Sequence, residues 1–255
     1  MGDDGMNATV ESLYRYPVKG FSPERLQSAP LARHSTIPGD RVYAVENGPS
    51  DFDPEAPAYQ PKTKFLCLMK NARLAKLRTT LDPETHDWLV EGDAAATFRL
   101  SSEEGRAAAE TFLTEFMGEE ARGPLKVLDA PGHSFSDVGK PLISIINLAT
   151  VAALGLALGR SVDPLRFRAN VYLTGLPPFV ELDWVGKRAA LGTAEIAIIK
   201  RTRRCVATNV DPVTAERDME IPASLLRLYD HMDCGVYAEV RGGGMLHVGD
   251  SLILS

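Results

Sequence analysis

Cysteine is scarce in this chain. Its 255 residues include three, Cys67, Cys205 and Cys234, and no two lie close together. That spacing excludes a zinc ribbon, a disulfide framework and a self-contained four-cysteine iron–sulfur site, and it fits a reducing, cytoplasmic setting. Phosphate loops are missing too: there is no G-x-x-x-x-G-K-[ST] and no dinucleotide fingerprint. Gly242-Gly243-Gly244 precedes a predicted strand rather than a helix, which marks a hairpin turn. Basic charge is not in excess. The formal net charge of −6 argues against nucleic acid or an anionic membrane as the main partner. Long apolar runs are limited to the uncharged stretch 141–159, close to the ~20 residues a bilayer span needs. Ser144, Asn147 and Thr150 interrupt it and Gly155 and Gly159 follow, so a buried strand (142–146) leading into a short helix (148–158) describes it better than a membrane span. The first ten residues carry Asp3 and Asp4 and no apolar stretch, so no secretory signal is expected.

What is present reads as a globular, β-rich α+β chain, large enough for one big domain or two small ones. Strands are predicted at 10–14, 25–31, 41–45 and 125–128, with a hairpin of 74–81 and 88–90 about Asp82-Pro83-Glu84. Residues 50–61, rich in Pro and Asp, form a surface loop. The clearest helix is 102–117, with Ser101 and Glu104 as a capping box and Gly118 as its stop. A domain boundary is expected near residue 130, giving units 1–130 and 131–255. Beyond it come strands at 170–174, 189–191, 195–200, 236–240, 245–248 and 252–254, with a short helix after Pro222. Barrel-like architecture is favoured over a doubly wound sheet.

Cys205 stands directly behind Arg201-Thr202-Arg203-Arg204, at the end of an apolar strand. Neighbouring guanidinium charge favours a thiolate, the form that attacks or binds metal. The same residues also describe a buried, inert cysteine beside solvated arginines. Lys19, Arg41 and Arg168, the last followed closely by Asn170, are candidates for holding a phosphate only if folding brings them together. His133 and His231 lie in no recognisable motif, which leaves a cysteine hydrolase without a base.

The ordered motifs resemble a known family. Leu13-Tyr14-Arg15-Tyr16-Pro17-Val18-Lys19 and Gly39-Asp40-Arg41 resemble landmarks of the MOSC N-terminal β-barrel domain. Phe167-Arg168-Ala169-Asn170, Arg203-Arg204-Cys205 with Thr208 and Asp211-Pro212-Val213-Thr214, the segment from Cys234 to Val240, and Val248-Gly249-Asp250 resemble motifs of the MOSC domain. The family departs from this chain at three places. Ala169 stands for a proline, Gly20 for a common serine, and Thr214-Ala215-Glu216 for Thr-Gly.

The resemblance implies the molybdenum cofactor, a pterin with a dithiolene and a phosphate. Cys205 would supply a thiolate to the metal, and Lys19, Arg41, Arg168, Asn170, Arg203 and Arg204 would clasp the pterin and phosphate. Ser136-Asp137 resembles the Ser-Asp pair near the metal of the amidoxime reductases. It makes Asp137 either a proton relay or an ordinary turn aspartate. The implied activity is reduction of N-hydroxylated or related N–O small molecules, using a ferredoxin-like or cytochrome b5-like donor protein and its reductase. Transfer of the cofactor, or of sulfur on Cys205, is the alternative, and a binding module without activity is a third reading. Neither a membrane anchor nor a cluster-bearing domain, both known among relatives, is expected here.

Overall fold

The computed structural model describes residues 8–92 and 95–255; the expectation about the first ten residues falls mostly outside them. A seven-stranded barrel organises the chain. Its strands are β1 (Ala8–Arg15), β9 (Ile143–Asn147), β10 (Val171–Thr174), β11 (Arg188–Leu191), β12 (Ala194–Arg203), β13 (Asp233–Gly242) and β15 (Ser251–Leu254). They hydrogen-bond in the order β10-β9-β13-β12-β11-β15-β1, and β1 closes the ring by pairing with β10. Only β9 and β10 run parallel among these pairs. Inward-facing residues such as Val10, Leu13, Ile196, Ile198, Val236 and Ala238 fill the barrel interior. Strand β1 thus comes from the first half of the chain but belongs to the barrel of the second.

The uncharged stretch is explained by burial on both faces. All five residues of β9 are buried, with Ile143 and Ile145 facing the barrel core and Ile146 packing under helix α2 (Leu148–Leu158). Helix α2 has 11 residues, about 16 Å at 1.5 Å per residue, well short of a bilayer. Among the described residues no helix is long and apolar enough to cross a membrane. Helix α3 (Ile221–Tyr229) packs beside α2 on the outside of the barrel.

The rest of the first half makes a second core. Strands β4 (Tyr43–Asn47) and β8 (Leu125–Asp129) pair, and β5 (Arg78–Leu81), β6 (Asp87–Glu91) and β7 (Ala96–Arg99) form a meander. Helix α1 (Glu103–Met117) covers them through Ala109, Leu113 and Met117.

Local differences from the sequence reading have physical causes. The strand expected at 25–31 is two, β2 (Glu24–Leu26) on β1 and β3 (Ser28–Leu31) on β14 (Gly244–His247), because the chain breaks at Gln27, whose carbonyl accepts the Val248 N–H. The first part of 74–81 is a single-turn helix (Ala72–Lys76), since the Leu74 N–H bonds the Asn71 carbonyl. Ser102, not Ser101, caps α1: its extended backbone lets Oγ accept from the Gly105 N–H at 3.0 Å. Strand β7 went unpredicted because its alanine-rich approach shows no alternation.

Candidate functional site

A cavity of about 400 Å³ opens where the two cores meet. Nine basic side chains and a single carboxylate line it. Lys19 arrives on the turn after β1, where its N–H bonds the Tyr43 carbonyl at 2.8 Å. The next residue must be glycine: Gly20 has φ +89°, and a Cβ there would lie 2.8 Å from the Leu66 carbonyl oxygen. That accounts for the missing serine. Arg41 and Arg168 both adopt left-handed backbone, φ 54° and 52°, and their guanidinium carbons lie 4.9 and 4.3 Å from the centre of the Tyr16 ring. Tyr16 is fully buried, and burial pushes its phenol up to about 12 despite the two cations.

Cys205, half-buried, lies two residues beyond Arg203, the last residue of β12. This strand departs from regular pairing with β13 between Ile198 and Lys200 and again between Arg201 and Arg203. Bulges of this kind re-aim side chains, and here they occur where the strand reaches the cavity. Lys62, from the loop before β5, places Nζ 3.3 Å from Cys205 Sγ and 3.2 Å from Asp137 Oδ2. Asp137 also ion-pairs with Lys19, whose Nζ donates to the Phe135 carbonyl at 2.9 Å. Burial opposes charge on all three. It pushes the Lys19 ammonium below the usual lysine range, whereas Asp137 and Cys205 keep Lys62 above it. The two ammonium groups, with Arg41, hold the Asp137 carboxyl well below the usual carboxylate range. At neutral pH Asp137 is therefore an anion, held between the Lys19 and Lys62 amino groups. Its side chain is still 42% open to the cavity, so water screens these pairs and they add little to folding.

The structure gathers Lys19, Arg41, Asp137, Arg168, Asn170, Arg203, Arg204 and Cys205 around one cavity. Their engagements differ. Arg204 donates from Nε to the Cys234 carbonyl at 2.7 Å, from Nη2 to the same oxygen, and from Nη1 to the Phe167 carbonyl at 2.9 Å. Asn170 is similarly used: Oδ1 accepts from the Ser144 N–H and Oγ, each at 3.0 Å, and Nδ2 donates to the Tyr14 carbonyl at 3.2 Å. These two residues chiefly build the wall. Gly235 belongs to the same construction, since its φ is +79° and a Cβ would sit 2.4 Å from the Ile145 carbonyl oxygen. Arg203, by contrast, is exposed and has no carboxylate partner among the described residues. His133 and His231 do not line the cavity, which removes the hydrolase reading's base.

Lys62 had no motif to reveal it; it directly follows the stretch 50–61 read as a surface loop, and only folding takes it to a cysteine 143 residues away. Three buried polar atoms of lining residues, Arg166 Nε, Arg168 Nη2 and Thr202 Oγ1, lack any hydrogen-bond partner. Buried donors are seldom left so, and these suit a polar anionic ligand. Among the described residues no group of three His, Cys, Asp or Glu could hold a metal ion. The cofactor that the resemblance implies brings its own metal ligands and takes one sulfur from the protein, and Cys205 is the accessible thiol of this lining.

The model of the MOSC N-terminal beta barrel domain matches residues 7–124, and that of the MOSC domain matches residues 133–253. The molybdenum cofactor sulfurase of Caenorhabditis briggsae is 35% identical over 100 residues, covering 36% of this chain and 13% of that protein. Mitochondrial amidoxime reducing component 2 of Macaca fascicularis is 28% identical over 151 residues, covering 54% of this chain and 44% of its own length. The chain thus spans less than half of these curated relatives. The crystal structure of the YUAD protein from Bacillus subtilis aligns over 98% of this chain and 96% of its own, with 14% identity and a TM-score of 0.45.

Proposed function

Because the chain belongs to the MOSC-domain family, we propose that it binds the molybdenum cofactor and reduces N-hydroxylated or related N–O compounds with electrons from a separate donor protein. One observation carries the reading: a single accessible thiol, Cys205, in a strongly basic cavity whose buried Arg168 Nη2 has no partner. The relatedness to amidoxime reducing components supports the reaction class. When bound, the cofactor supplies two-electron oxygen-atom transfer.

The protein's own residues bind and orient. Cys205 offers the thiolate, and Arg168 and Arg203 offer unused N–H groups to a phosphate. Arg41 and Lys19 add charge, while Arg204 and Asn170 hold the wall to which the others are fixed. Asp137 keeps Lys19 and Lys62 in place, and as a firmly held anion it is a poor proton donor. The division into 1–130 and 131–255, cytoplasmic action, and a ferredoxin-like or cytochrome b5-like donor with its reductase belong to this proposal.

The test is metal analysis after expression with molybdate. Close to one molybdenum per chain is expected, with Cys205→Ala abolishing both the metal and donor-dependent amidoxime reduction. Metal-loaded protein that reduces nothing across a panel of N-hydroxylated substrates and donors would sink the reductase reading. The 35% identity to a cofactor sulfurase favours a second one, sulfur or cofactor transfer through Cys205. A persulfide on Cys205, together with passage of cofactor to an apo-enzyme, would select it.

A further inference from the structure

The cavity holds more positive charge than its proposed contents would balance. Arg41, Arg166 and Arg201 are matched by carboxylates outside the lining, and Lys19 and Lys62 share Asp137. Arg168, Lys200, Arg203 and Arg204 line it with no carboxylate partner among the described residues. With the one positive charge left over where Lys19 and Lys62 share Asp137, these make five, and a phosphate monoester and a thiolate together offset about three, which leaves roughly two. The excess has a place. Lys62 sits at the rim with its side chain 28% exposed, and two of its three ammonium protons suffice for Cys205 Sγ and Asp137.

From this we propose that the cavity selects small N–O compounds that carry a negative charge of their own, such as a carboxylate, and that Lys62 is the residue that selects them. The substrate class rests on the reductase reading; the preference for anions at Cys205 does not. A fixed ammonium in a concave, partly desolvated site concentrates small anions at its base. The nearby carboxylates do not cancel it: Asp137 is already shared with Lys19, and Asp40, Asp211 and Asp183 are committed to Arg41, Arg166 and Arg201.

The experiment compares two alkylating reagents of equal size, anionic iodoacetate and neutral iodoacetamide, on the purified full chain without cofactor. Mass spectrometry follows the Cys205 peptide. Both reagents consume the same thiolate, so changes in thiol ionisation cancel in the ratio of their rates. That ratio, relative to free glutathione, should be raised about fivefold in the wild type, fall clearly in Lys62→Gln and persist in Lys62→Arg. It should also fall with added salt in the wild type, a measurement that stands even where the variant does not fold. A wild-type ratio equal to that of glutathione, a ratio indifferent to salt, or one unchanged in folded Lys62→Gln would overturn the proposal. With loaded enzyme, carboxylate-bearing substrates should show a lower KM than neutral analogues. If alkylation shows the preference and no compound is reduced, the reductase reading fails and the anion site stands. If compounds are reduced and alkylation shows no preference, the anion site fails alone.

Discussion

Two adjacent arginines that look alike in the sequence should behave differently when removed. Arg204 is 9% exposed and satisfies the Cys234 and Phe167 carbonyls, with its guanidinium carbon 5.2 Å from the centre of the Phe167 ring. Arg204→Ala strands two acceptors in the barrel wall. An unsatisfied buried acceptor costs about 1–3 kcal/mol, and relief from desolvating the guanidinium returns part of it. A net loss of roughly 2–4 kcal/mol follows, which for a chain of this size lowers Tm by about 5–15 °C. Arg203→Ala removes an exposed side chain and should stay within about 0.5 kcal/mol of the wild type. The assay is thermal and urea unfolding of cofactor-free protein, followed by cofactor retention in each variant. Arg203→Ala should keep its stability and lose cofactor affinity; Arg204→Ala should lose stability before any cofactor is present. Equal melting of the two variants would refute the division of labour.

Asn170→Ala should also destabilise the cofactor-free protein, by about 2–4 kcal/mol, because it removes three bonds tying β9 and the start of β10 to β1; unchanged urea unfolding would contradict this. Glu181 is fully buried on Asn147 and Thr150, and burial raises its carboxyl above the ordinary 4.5, outweighing those hydrogen bonds. A raised folded value means its contribution is complete below about pH 4.5 and is lost as pH climbs through the folded value. Glu181→Gln should therefore gain on the wild type in melting temperature as pH rises from about 4 to 8, and a flat or falling difference would show that the carboxyl does not titrate there.

Much of the architecture was legible in the chain. The alternation in β12 and β13, the uncharged run of β9 and α2, and Pro222 at the start of α3 are local patterns with local causes. Where neighbours compete, legibility ended. Which serine capped α1 depended on backbone angle, and the break at Gln27 depended on a partner strand more than 200 residues away.

The site divides along the same line. The sequence by itself determined that Cys205 follows a basic run, that Phe167-Arg168-Ala169-Asn170 precedes it, and that the motifs keep one order. Only the tertiary structure decided what those residues do: Arg204 is drawn into the wall, Arg203 left free, and Lys62 set beside the thiol. The physical reason is that a side chain's chemistry depends on the partners within a few ångströms. For Cys205 those partners come from a loop in the other half of the chain, brought there by barrel closure that no local spacing encodes.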